Sequence, residues 1–103
     1  MHSEVLVTLT PDQEFRLDPQ GAQPLTNEDA RRWLDDEFVR LDCEPLRASG
    51  KVLLADKVLT VAAAAGATLL SDPAWAGQFA RATVAALDRP VVRVDVAAMA
   101  VSF

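Results

Sequence analysis

The chain has no tyrosine, one histidine and one cysteine. A single cysteine cannot form an internal disulfide, and a four-cysteine zinc site is excluded. A mixed site would have to recruit both Cys43 and His2 together with carboxylates. The missing tyrosines remove a common acid–base and stacking side chain. A Cys–His nucleophile pair would need His2, at the start of the chain, to reach Cys43. The carboxylates of Asp42 and Glu44 flank Cys43 and oppose thiolate formation.

Longer chemical motifs are missing too. No GxGxxG, GxSxG or HExxH pattern occurs. Ser49-Gly50-Lys51 lacks the upstream glycine of a phosphate loop, and Val52 stands where that loop needs Ser or Thr. No catalytic residue, cofactor-binding residue or metal ligand is assigned, no cofactor is expected, and the chain is read as a non-enzyme.

Long apolar runs are also scarce. The longest nearly uncharged one, VLTVAAAAGATLL, spans the 13 residues 58–70, against about 20 needed to cross a bilayer. MHSEVLVTLT has neither a basic n-region nor a long apolar core, so no signal peptide is expected. A reducing, cytoplasmic location fits these absences.

Half of the 103 residues are apolar and 24% are charged, which is globular composition. A single globular domain over residues 1–103 is expected. Eight arginines stand against two lysines and alanine is abundant, a bias that a GC-rich bacterial genome produces. The net charge of −5 is uneven: residues 1–50 hold eleven acidic and five basic side chains, residues 51–103 four and five. An acidic surface repels phosphate backbones and anionic headgroups, so neither a nucleic acid nor a membrane is an expected partner. A basic protein facing the N-terminal half would be compatible.

Glu4 to Thr10 alternates, with Val5, Val7 and Leu9 on one face, and Glu14 to Asp18 alternates again through Phe15 and Leu17. Pro11-Asp12 between them predicts a hairpin. Pro19, Gly21 and Pro24 predict a loop. Thr26 is placed to cap a first helix, with Glu28 and Asp29 at its positive end. Ala30, Trp33, Leu34, Phe38 and Leu41 form its apolar stripe, and Pro45 ends it. Arg31–Asp35, Arg32–Asp36 and Asp36–Arg40 are i,i+4 pairs, of which only the last has the favoured acid-first order. Asp35, Asp36 and Glu37 in succession point about 100° apart and cannot converge on one ion. This face is therefore a solvated, salt-bridged one.

A second helix is predicted from about Lys51 to Ala65, with Ser49 as cap and Gly66 as a left-handed terminator. Leu54, Val58, Val61 and Ala65 lie on one side; Asp56, Lys57 and Thr60 lie on the other. Asp72 and Pro73 open a third helix. Trp75, Phe79, Ala82 and Ala86 line one stripe and Ala76, Ala80, Val84 and Leu87 the next, leaving only Gln78, Arg81 and Thr83 clearly polar. Asp88-Arg89-Pro90 breaks that helix, and residues 91–96 alternate as a strand. The eight residues 96–103 carry no charge, so this tail is expected to dock, as a continued strand or in a partner.

The expected fold is α+β: a small, mostly antiparallel sheet of three to four strands packed on one face by about three helices, in the order β-β-α-α-α-β. A fourth strand would come from Ala67 to Leu70 or from the tail. Function is read as a non-catalytic protein-interaction protein of a bacterial cytoplasm, either a homodimer or a small accessory subunit. Two alternatives stand beside it: an acidic module that binds or inhibits a basic protein, and a small-ligand-binding protein or minor enzyme using Arg81 and Arg93 around an apolar pocket. The candidate interaction surface is Arg32, Asp35, Asp36 and Arg40, and the candidate apolar anchors are Trp33, Trp75, Phe79 and Phe103.

Overall fold

The computed structural model describes residues 3–19, 25–41, 43 and 54–103. The loop through Gly21 and Pro24, the Pro45 stop, the Ser49 cap, the Lys51 helix start and His2 lie outside the described residues. The elements are β1 (Glu4–Thr10), β2 (Gln13–Leu17), α1 (Asn27–Arg40), α2 (Leu54–Leu70), α3 (Pro73–Leu87), β3 (Val91–Asp95) and β4 (Ala100–Ser102).

The sheet order is β2-β1-β3-β4. β1 pairs antiparallel with β2, and β3 antiparallel with β4, while the central pair β1–β3 is parallel. The sheet is thus mostly antiparallel, as the alternation implied, with the long crossover at its centre. The pleat then decides which side chains meet. Val5 lies between Leu17 and Val92, and Val7 between Phe15 and Val94. Val5, Val7, Val92 and Val94 have no exposed surface. Each contributes about 1.5–3 kcal/mol by leaving water. The opposite face carries Glu4, Leu6, Glu14, Arg16 and Arg93, and Arg16 reaches Glu4 at 3.5 Å.

All three helices lie on the valine side. α2 and α3 rest on the sheet, and α1 packs across both as an outer layer. Thr26 caps α1 by accepting from the Asp29 amide at 3.0 Å, and Asp72 caps α3 by accepting from the Ala74 amide at 3.1 Å. Asn27 adds a tie that periodicity did not reveal. Its amide nitrogen donates to the Ala85 and Ala86 carbonyls at 3.1 and 3.0 Å. These are among the carbonyls a helix end leaves without an internal partner, so the start of α1 is fastened to the end of α3.

Two elements differ from expectation. Gly66 has positive φ, as anticipated, but it does not end α2: at φ 64° and ψ −173° it kinks the helix, which resumes to Leu70. Ala67 to Leu70 is therefore helical, and the fourth strand comes from the C-terminal tail. The chain reverses into β4 through residues 96–99. There the Ala98 amide donates to Asp95 Oδ1 at 3.0 Å, and Met99 takes a φ of 53°.

Thr83, read as polar, is fully buried in α3, and its hydroxyl has no hydrogen-bond partner among the described residues. Thr83→Val should raise stability by about 1 kcal/mol, because it removes a buried unpaired hydroxyl at nearly constant volume. Urea unfolding checks this, and a lower midpoint contradicts it. At Gly66 a Cβ would meet nothing within 4 Å, yet the backbone lies where only glycine is at ease. Gly66→Ala should therefore cost about 1–3 kcal/mol despite the room. A neutral result in the same assay would place the strain elsewhere.

Candidate functional site

The exposed face of α1 is the first candidate. Arg32, Asp35, Asp36 and Arg40 are all exposed there. The ion pairs formed are not the ones that spacing suggested. Arg32 reaches back to Glu28 at 3.7 Å and Asp29 at 4.0 Å, Arg40 pairs with Glu37, and Asp35 pairs with Lys57 of α2. Two physical causes account for the difference. Glu28–Arg32 has the acid-before-base order that suits the helix dipole. Lys57 is brought to Asp35 by helix packing, and it also lies 5.9 Å from the centre of the Phe38 ring. The arginines are thus partly neutralised by their own helix. Val39, 75% exposed, is an isolated apolar side chain on this charged face.

The aromatic residues divide into two groups. Trp75 and Phe79 stack at 5.2 Å with planes 10° apart, and Trp33 meets Trp75 at 5.8 Å from α1. Phe79 is fully buried, Trp75 nearly so, and Trp33 half-buried. This cluster joins α1 to α3, and its rings are occupied by one another. The Trp75 Nε1–H is buried and has no hydrogen-bond partner among the described residues. Phe103, in contrast, is 60% exposed and lies under the Arg89 guanidinium at 5.5 Å.

Around Phe103 is a second candidate surface. β4 is an edge strand, so one row of its backbone groups faces away from the sheet. Met99, 66% exposed, and Phe103 stand at its two ends. No charged side chain occurs from residue 96 to 103. The other edge, β2, carries Glu14 and Arg16 and is followed by Asp18 and Pro19. α2 packs beside β4. Beyond Thr60 its exposed residues are Ala63, Ala64, Ala67 and Thr68, again without charge. Met99 was absent from the sequence-based candidates; the apolar tail was the signal that pointed to it.

Neither Arg81 nor Arg93 lines the main depressions formed by the described residues. Arg81 is half-buried and donates to Gln78 Oε1 at 3.2 Å, while Arg93 is exposed on the outer sheet face. An open depression of about 490 Å³ lies between the end of β2 and the start of α3, lined by Arg16, Asp18, Leu70, Pro73 and Gly77 among others. It includes neither arginine. Cys43 follows α1, with its amide donating to the Phe38 carbonyl at 3.3 Å. Among the described residues no three His, Cys, Asp or Glu side chains lie close enough to share a metal ion, and no helix is long and apolar enough to cross a membrane.

No protein-family model matches this chain, and neither a curated protein nor a solved structure does.

The α1–α2 ion pair is open to a direct measurement. A double-mutant cycle on Asp35→Ala and Lys57→Ala should give a coupling of about 0.2–1 kcal/mol. The coupling should shrink in high salt, since the Asp35 carboxylate is half exposed. A coupling indifferent to salt would mean that the stems, not the charges, hold the two helices together.

Proposed function

We propose that this protein is a non-catalytic interaction or accessory subunit, working in a bacterial cytoplasm through the C-terminal edge of its sheet. The observation that carries this reading is the uncharged β4 edge with Met99 and Phe103 exposed at its ends. Unpaired strand edges recruit another strand through main-chain hydrogen bonds, and exposed apolar side chains add area to that contact. Proteins ordinarily guard such edges with charge or proline. Here β2 is guarded in that way and β4 is not, which is the asymmetry expected when one edge is used.

A second reading draws on α1. Its exposed side carries Glu28, Asp29, Asp35 and Asp36 against Arg31, Arg32 and Arg40, and Arg32 and Arg40 are turned back onto acids of the same helix. These pairs blunt the ridge, but the named acids still outnumber the named arginines by one, and that slight acidic excess is compatible with a basic protein. The two readings respond differently to salt: an α1 complex should weaken sharply as ionic strength rises, and an edge-strand complex should not.

Affinity capture of the full chain from a bacterial lysate tests the first reading. A protein in stoichiometric amount, either another copy or a different chain, should be retained in moderate salt. It should be lost with Ser102→Lys, which places a cation on the edge while leaving the buried face intact. Equal retention by the variant, or no retained protein, would overturn the edge reading.

A further inference from the structure

The interaction reading leaves the occupant of the edge open, and the geometry of β4 narrows it. We propose that the β4 edge is the contact between two copies of this chain, with the strands antiparallel about a two-fold axis at Val101 and the alanine faces of α2 meeting across the same axis. This inference rests on the edge reading above.

The first argument is charge. The protein carries −5 overall, so two copies repel wherever their acidic surfaces meet. They can approach closely where charge is absent. Residues 58–71 and residues 96–103 contain no charged side chain. The first forms most of α2, and the second forms the turn and β4. The fold sets them side by side, because α2 packs on β4. A different partner would not need neutrality over both elements; a second acidic copy does.

The second argument is self-complementarity. A two-fold contact must present the same patch to itself. Antiparallel pairing centred on Val101 sets Ala100 opposite the partner's Ser102 and Met99 opposite the partner's Phe103. The two exposed large apolar residues of the tail then face each other twice. Thioether–aromatic contacts of this kind are favourable. The small side chains of Ala100 and Ser102 offer no steric obstacle between them.

The third argument is size. A three-residue strand is too short to supply the roughly 800 Å² per partner of an ordinary stable interface. The missing area has to come from an adjoining element. A two-fold axis normal to the sheet keeps the helices of both copies on one side, and α2 is the helix on the β4 side. Ala63, Ala64 and Ala67 are small enough to let two helices approach at about 8–10 Å. The result is an eight-stranded sheet, β2-β1-β3-β4 followed by the same order reversed, with both outer edges formed by the charged β2.

Sedimentation equilibrium on the purified full chain tests this. The wild type should approach the mass of two chains at micromolar concentration. Met99→Lys and Ala63→Glu each alter an exposed side chain, so both variants should keep the far-ultraviolet circular dichroism of the fold. Each should raise the dimer dissociation constant by at least about tenfold. A wild type that stays monomeric at high micromolar concentration overturns the proposal, and so does a dimer whose dissociation constant either substitution leaves unchanged. A monomer that still captures a different protein in a Ser102-dependent way sinks the second copy but keeps the edge reading. A monomer that captures nothing removes both.

Discussion

The parallel pairing of β1 with β3 is the constraint on which the rest of the structure depends. Two strands separated by most of the chain lie side by side, with Val5 against Val92 and Val7 against Val94. A parallel pair cannot be closed by a tight turn. The antiparallel β2 brings the chain back to the end of the sheet where β1 began, and the helices then carry it across a single face to the start of β3 at that same end. Those four valines are fully buried only because α2 and α3 cover them. The ends of the ladder are tied by the Glu4 amide on the Pro90 carbonyl at 2.7 Å and the Val96 amide on the Thr8 carbonyl at 2.8 Å. The contacts that hold the sheet are thus the most non-local ones in the chain, and such pairings are slow to form and costly in loop entropy. Once they form, α1 closes the outside through Asn27 and the Trp33–Trp75 contact.

Much of this was legible in the residues because local chemistry and tertiary demand agree. Thr26 and Asp72 cap the helices that their sequences announce, since a cap acts within one turn and needs no distant partner. Alternation found β1, β2 and β3, because one face of each is buried and a slip of one residue would expose it. The nearly all-apolar third helix is enclosed on most sides, as its composition implied. What stayed hidden is whatever depends on where two elements come to rest. Asp35 chooses Lys57, 22 positions away, over Arg31. Asn27 was invisible as a fastener because its acceptors belong to α3. Gly66 was recognised as a positive-φ position, but whether the chain stops or kinks there is decided by packing on both sides of it.

For the functional surface the same division holds in a sharper form. The acidic ridge was easy to see, because charge is written directly in composition. The structure blunts it by turning Arg32 and Arg40 onto neighbouring acids. The uncharged tail was visible as an anomaly, but what it adjoins was not. Only the sheet order reveals that residues 96–103 and the alanine run of α2 are neighbours. Trp75 and Phe79 illustrate the opposite limit. Large aromatics are the commonest hot-spot residues, and equally good core residues, and nothing in a helical stripe distinguishes the two. The stack within the core does.

The uneven charge of the chain acquires a physical meaning from this arrangement. Among the described elements the acidic excess of the N-terminal half falls on α1, where five acids stand against three arginines, while residues 58–70 of α2 and residues 96–103 around β4 carry no charged side chain. The acidic surface of α1 and the neutral surface at β4 are therefore separate parts of the molecule. Neutrality alone is a weak force, since an uncharged surface attracts nothing by itself. Its effect is to leave short-range contacts uncontested where long-range repulsion would otherwise dominate. Strand addition is the contact best able to exploit that opening, because its hydrogen bonds come from the backbone and require no side-chain partner of opposite sign. An edge reserved in this way would be read by shape and register more than by charge. Under that logic specificity resides in the brevity of β4, the left-handed turn at Met99 that delimits it, and the Arg89–Phe103 contact that holds its far end.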